Sequence, residues 1–172
     1  DEKVTKEEQI EPKCACDMTI SMGTFSALGS GADEYDPGSS LSITFPTKYN
    51  FNLFGKNFNI LAEVNLSHLV GIIDGNDKNI KSGIAHFNTD FNLPIDISIG
   101  LGIAHLDVDN KGGIGGTGII DIYYNLPIDN HNISVGFRYQ KFVDILTEDP
   151  YLDFGFLDTY SLNFNYSKVF SF

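Results

Sequence analysis

Residues 58–70 read Phe-Asn-Ile-Leu-Ala-Glu-Val-Asn-Leu-Ser-His-Leu-Val, and this stretch decides the fold. Apolar residues recur at every second position from Phe58 to Leu66, and return at Val70. Polar residues, including Glu63 and Ser67, stand between them. Successive side chains of a β-strand point to opposite faces, so the pattern predicts a strand with one apolar and one polar side.

The same alternation recurs along the chain and has no helical counterpart. Together with 58–70 it predicts eight strands, at 19–28, 41–51, 58–70, 79–91, 95–104, 117–124, 133–140 and 160–172. Segment 19–28 alternates least clearly. The chain is therefore expected to be all-β.

Alternation does not say which face is buried. A soluble sandwich or barrel would turn the apolar face inward, and a membrane barrel would turn it toward lipid. Several runs exceed about ten residues, enough at about 45° tilt to cross the roughly 25 Å apolar band of an outer-membrane barrel. The other face is rich in Ser, Asn, Gly and Thr, which suit a narrow lumen. The sequence thus predicts a closed antiparallel up-and-down transmembrane β-barrel of eight strands.

Three similar turns indicate the topology. Each has an aromatic residue, Asn and Leu before the reversal, at 51–54, 91–94 and 124–127. The other connections are longer and acidic, at 29–39, 74–79, 107–116 and 144–156, and the glycine-rich segment 112–118 is interpreted as a flexible loop. Short turns on one side and long loops on the other match the bacterial plan, with the short turns and both termini in the periplasm.

Composition limits the class of function. The chain has 172 residues, a formal net charge of -12 and one arginine, Arg138. Phosphate contacts need clusters of basic residues, so nucleic-acid binding is excluded.

Residues 1–16 are charged and poor in large apolar side chains, which predicts a flexible periplasmic tail before a barrel at 17–172. Cys14 and Cys16 could form a strained disulfide, bind a soft metal or stay free.

The chain ends Tyr-Ser-Lys-Val-Phe-Ser-Phe at 166–172, with aromatic residues at alternate positions and a terminal Phe172. This resembles the C-terminal strand of bacterial outer-membrane proteins, and the whole pattern from 17 to 172 resembles small barrels of the OmpA, OmpX and OmpW type. The resemblance implies a Gram-negative cell outer membrane, contact with its lipids and lipopolysaccharide, and recognition by the barrel assembly machinery through the Phe172 strand. Lys168, Pro46 and the lack of Trp depart from that pattern.

One cluster of charges is predicted inside the barrel. Arg138 falls on the polar face of its strand, as do Glu63 and Asp121. An unpaired buried charge is costly, so Arg138 is expected to pair with one or both acids. A gate or proton-linked plug is one interpretation, and a network that fills the lumen is the favoured one.

No catalytic residue and no cofactor is predicted, and the presence of a metal site is left open. His68, His86, His105 and His131 lack a serine in a defensible catalytic arrangement, and His86 is expected in the lumen near Asp90. The loop acids could hold Ca²⁺ or Mg²⁺ weakly, or simply be solvated. The function expected is non-catalytic, as a structural, adhesion or surface-interaction protein of the outer membrane. The alternatives are a lipid A-modifying enzyme and a soluble lipocalin-like binder of an apolar ligand.

Overall fold

The structure, a computed structural model, describes residues 15–72, 77–89, 95–108, 111–128, 132–146 and 156–171. These residues form eight antiparallel strands in one closed barrel, in which each strand pairs with its neighbours in sequence and β1 pairs with β8. The strands are β1 Ala15–Ala27, β2 Tyr35–Leu53, β3 Lys56–Gly71, β4 Lys78–Thr89, β5 Ile95–Val108, β6 Lys111–Asn125, β7 Asn132–Leu146 and β8 Phe156–Ser171. The predicted fold class is confirmed.

Barrel closure uses the segment in which the alternation was weakest. β1 pairs with β8 from Ala15 opposite Ser171 to Ala27 opposite Thr159, so no strand edge is left open. Ala15 and Cys16, predicted as the end of the tail, belong to this strand. Residues 1–14, with Cys14, lie outside the described part of the chain, as do Asp90, His131 and Phe172.

The apolar residues face outward. Val64, Ile99 and Phe164 are 56%, 54% and 48% exposed, whereas the polar neighbours Asn65 and Asn163 are buried. A soluble barrel would bring these three apolar side chains together in its interior, so the lipocalin-like alternative is wrong. Within the described ranges no helix is long and apolar enough to cross a membrane.

Pro46 lies within β2, where it cannot donate a backbone hydrogen bond. The register between β2 and β3 shifts between Pro46 and Asn50, and Thr47 Oγ1 donates instead to the carbonyl oxygen of Ile60 at 2.6 Å. The irregularity expected from the sequence is thus accommodated at a bulge.

Two predicted loops are largely regular structure. Segment 107–116 was expected to be a long connection, but β5 runs to Val108 and β6 starts at Lys111. Segment 29–39 holds a 3₁₀ helix, Gly29–Asp33, and the first residues of β2. The glycine-rich segment 112–118 is paired strand, with Gly113 and Gly115 buried. Glycine was taken as a sign of flexibility, whereas here it keeps the lumen-facing side of β6 small.

The two ends of the lumen differ. We call the end with the β2–β3, β4–β5 and β6–β7 connections the turn end, and the opposite end the loop end. Near the loop end the lumen contains an apolar cluster, made of Phe25, Ala27, Leu69, Ile80, Ala104, Phe142 and Leu157. Toward the turn end the lumen is polar. The sequence pattern suggested a hydrophilic interior throughout, but the structure shows that the interior near the loop end is apolar.

Candidate functional site

Arg138 lies at the centre of the lumen between two carboxylates. Its Cα partner across β6–β7 is Asp121, and Glu63 reaches it from β3 on another part of the wall. Arg138 Nε and Nη2 donate to the Asp121 carboxylate at 2.7 and 3.0 Å. Nη1 and Nη2 donate to the Glu63 carboxylate at 2.5 and 2.7 Å. Both pairs are bidentate, the geometry in which Arg and carboxylate bind most strongly.

The three residues are almost completely buried, with 3% exposure for Arg138 and Glu63 and 0% for Asp121. The structure thus brings together the three residues that the sequence placed on the polar face. Tyr123 extends the network, because Arg138 Nη2 lies 3.4 Å from its hydroxyl oxygen. Thr44 Oγ1 donates to Glu63 Oε2 at 3.2 Å.

The network also includes His86, which the sequence placed in the lumen near Asp90 but not beside Glu63 and Asp121. It projects from β4, with Nε2 2.9 Å from Glu63 Oε2 and Nδ1 3.5 Å from Asp121 Oδ2. Ser98 lies 3.3 Å from Nδ1 and donates to Asp121 Oδ2 at 3.3 Å. The predicted partner Asp90 lies outside the described residues. The only sequence signal was that His86 shares the lumen face, which does not reveal contacts across a closed barrel.

The network carries excess negative charge when His86 is neutral, because two carboxylates face one guanidinium. On its turn-end side it borders a cavity of about 230 Å³. The cavity lining extends to Asn88, Asp96 and Asn125, close to the strand ends. On the loop-end side the apolar cluster lies across the lumen. The arrangement therefore presents fixed charges and hydrogen-bond acceptors to a cavity that opens at the turn end.

The other described histidines lie outside the lumen. His68 shares the outer face of β3 with Leu66 and Val70, and its Nδ1 lies 2.9 Å from Asn79 Oδ1. Its Nε2 lies 3.6 Å from Asp77 Oδ2. Ser39 is the Cα partner of His68 across β2–β3, but the two ring nitrogens already face Asn79 and Asp77. Ser39, His68 and Asp77 therefore lack the serine-to-histidine contact that nucleophilic catalysis requires.

The acidic loop residues are distributed differently from the prediction. Asp33 and Glu34 are exposed at the loop end. Asp36 belongs to β2, Asp107 to β5, Asp144 to β7 and Asp158 to β8. Asp158 pairs with Lys141 at 3.5 Å. Among the residues the structure describes, no three His, Cys, Asp or Glu side chains are placed to hold a metal ion.

The fold defines the class: it is that of the small eight-stranded outer-membrane β-barrels. The chain is similar to the Yersinia pestis outer membrane protein Ail, solved in a phospholipid bilayer nanodisc, with a TM-score of 0.56 and 15% identity over 88% of this chain and 99% of that one. It is also similar to the outer membrane enzyme PagL, with a TM-score of 0.55 and 13% identity over 87% and 97%. No family model matches the sequence, and no curated protein matches it.

Proposed function

We propose that this protein is a non-catalytic β-barrel of a Gram-negative outer membrane, with a structural, adhesion or surface-interaction role. The observation that carries the proposal is the outward apolar surface of the closed barrel. Leu101 and Ile103 are 63% and 68% exposed, while the buried side chains between strands are largely polar. A surface of this kind favours aggregation in water and is compatible with lipid.

The proposed orientation puts both termini and the turn end in the periplasm and the loop end outside the cell. In that orientation β8 delivers the C-terminal motif to the barrel assembly machinery, and the loop end meets lipopolysaccharide. The exposed acids Asp33 and Glu34 would then face surface partners or divalent cations. The resemblance of residues 166–172 to the outer-membrane C-terminal strand supports this orientation.

Within this proposal the Arg138 network is a structural device. Two charge-assisted hydrogen bonds join Arg138 on β7 to Glu63 on β3 across the lumen, and two more join it to Asp121 on the neighbouring strand β6. Fixed bonds between distant strands hold the barrel in one register. Together with the apolar cluster they fill the centre and the loop-end part of the narrow lumen, and leave a small cavity toward the turn end.

Membrane integration is tested by gel migration of the full chain in detergent. A folded outer-membrane barrel stays compact until it is heated, so boiled and unboiled samples should migrate differently, and the unboiled protein should fractionate with the outer membrane. Equal migration, or recovery in the soluble fraction without detergent, would contradict the proposal.

Orientation is tested with one peptide epitope inserted at either end of the barrel. An insertion between Asp33 and Glu34 should bind antibody on intact cells, whereas an insertion between Phe54 and Gly55 should bind only after the outer membrane is permeabilised. Both positions are exposed. Heat-modifiable migration of both variants serves as the folding control, and the reverse labelling would invert the proposed orientation.

A lipid A-modifying activity is the second candidate, supported by the similar fold of the enzyme PagL and by the outer-face row of Ser39, His68 and Asp77. The geometry favours a polar rim rather than catalysis, because the His68 nitrogens face Asn79 and Asp77. Mass spectrometry of lipid A from cells expressing the protein should show no change. A change abolished by His68→Asn but not by His105→Asn would establish the enzyme instead.

A further inference from the structure

The polar cavity between the Arg138 network and the turn end is lined almost entirely by oxygen-bearing side chains. Hydroxyl groups of Thr44 and Ser98, the amide of Asn165 and three carboxylates border it. Its volume of about 230 Å³ corresponds to roughly eight water molecules at about 30 Å³ each. The space therefore suits a ligand of a few non-hydrogen atoms.

The lining is acidic. Glu63, Asp121 and Asp96 border the cavity, and no Lys or Arg is among the described residues that line it. Arg138 neutralises only part of this negative charge, since its single guanidinium group is shared by Glu63 and Asp121. Asp96, nearer the opening, accepts a hydrogen bond from the neutral amide Nδ2 of Asn125 at 2.7 Å. A cation entering the cavity would relieve this imbalance.

Unsatisfied polar atoms provide an independent observation. Asn165 is 3% exposed, and its Nδ2 donates to Ser134 Oγ at 3.0 Å. Its Oδ1 has no donor among the described residues, although the side chain lines the cavity. Buried acceptors are rarely left unpaired, so this wall calls for a ligand that donates hydrogen bonds.

From these features we infer that the cavity binds a small organic ammonium ion, which enters from the turn end. A primary ammonium group brings one positive charge and three donors, matching the carboxylates and the free Asn165 oxygen. A resident metal ion fits less well, since no three suitable ligands come together in the described part of the chain. The apolar cluster blocks the opposite end, so the ion is bound rather than passed through.

The test uses the full chain, ¹⁵N-labelled and folded in detergent micelles. Butane-1,4-diamine is titrated while the side-chain amide of Asn165 and the backbone amide of Ser98 are followed by NMR. A saturable shift of both signals is expected. Butane-1,4-diol, which has the same length and no charge, should leave them in place.

Variants locate the binding site. Glu63→Gln should weaken diamine binding by about tenfold or more, because it removes a buried charge at the cavity floor. Asp96→Asn at the opening should weaken it by about threefold. Asp158→Asn changes the net charge equally on the outside of the barrel and should leave affinity unchanged.

Each outcome decides the inference. Equal shifts with diol and diamine, no saturation at millimolar diamine, or equal weakening by Asp96→Asn and Asp158→Asn would overturn it. If Glu63→Gln fails to show heat-modifiable migration, the Asp96 comparison and the diol titration still decide. None of these results depends on the adhesion role, which is tested on cells.

Discussion

At the scale of single residues, the sequence indicated which charges lie in the lumen, but not how they are arranged. The alternation of side chains along each strand assigned Arg138, Glu63 and Asp121 to the polar, lumen-facing side. Because an unpaired buried charge is costly, pairing between them was the expected result. That His86 also touches both acids depends on which strands face each other across the barrel. No local pattern contains that information.

Replacing Arg138 alone should be severe. Arg138→Met leaves Glu63 and Asp121 buried without their cation, and we expect a loss of about 3–5 kcal/mol in the free energy of unfolding. The measurement is urea unfolding of the barrel in lipid vesicles. The matched control is the triple variant Arg138→Met, Glu63→Gln, Asp121→Asn, which removes all the charges and should recover much of the stability. A single variant as stable as the wild type would contradict the structural role of the network.

Gly136 is required for space. A Cβ there would overlap the ring of Tyr123, whose hydroxyl lies next to Arg138. Gly136→Ala should therefore destabilise the barrel by about 1–3 kcal/mol through overpacking. Gly118→Ala is the control, since its Cβ would meet only Leu101 Cδ2 at 3.8 Å. The same urea unfolding measures both, and equal effects would show that the Tyr123 contact is unimportant.

At the scale of strands and turns, period-two alternation predicted every strand because the pattern belongs to the strand itself. Strand ends were less predictable. The segment after Asp107 looked like a loop because it is rich in glycine, yet it pairs along β5 and β6. Pairing partners, rather than local composition, decided where these strands end.

The direction in which the side chains of β8 point, toward lipid or toward the lumen, can be tested directly. Nitroxide labels on Leu162→Cys and Phe164→Cys, in a chain lacking Cys14 and Cys16, should be accessible to oxygen dissolved in the lipid. A label on Asn163→Cys should not be, because Asn163 is 7% exposed and Leu162 is 59% exposed. Heat-modifiable migration confirms folding of each variant. Equal oxygen accessibility at 162 and 163 would rule out the proposed facing.

The β2–β3 turn carries local strain. Phe54 and Gly55 have φ values of 51° and 74°, the combination of a two-residue turn that favours Asn-Gly. Phe54 is also 95% exposed, so its side chain contributes little packing within the barrel. Phe54→Asn should stabilise the protein by about 0.5–1 kcal/mol in detergent micelles. Destabilisation instead would mean that the aromatic ring has a binding partner at the turn end.

At the scale of the whole molecule, the lumen has a polar half and an apolar half. The apolar cluster excludes water near the loop end, and the Arg138 network occupies the centre. A barrel closed in this way has a cavity on the turn-end side only and presents its apolar outer surface to lipid.

The purified protein should therefore show no steady ion conductance in planar lipid bilayers. The double variant Phe142→Ala, Leu69→Ala opens the apolar cluster and serves as the comparison, while Leu101→Ala on the outer face is the matched control. Steady conductance of the wild-type protein would require a continuous water path from the turn end to the loop end. Such conductance would contradict the closed lumen.

The amino-acid sequence by itself determined the class of fold and the direction of its two faces. Alternation is a property of consecutive residues, and the length of the runs together with small polar partners is enough to favour lipid on the outside. Only the tertiary structure decided what meets inside. Closure of β1 on β8 brings residues far apart in the chain to one axis, so the four-residue network, the apolar cluster and the blind cavity arise from register and curvature, which no single strand encodes.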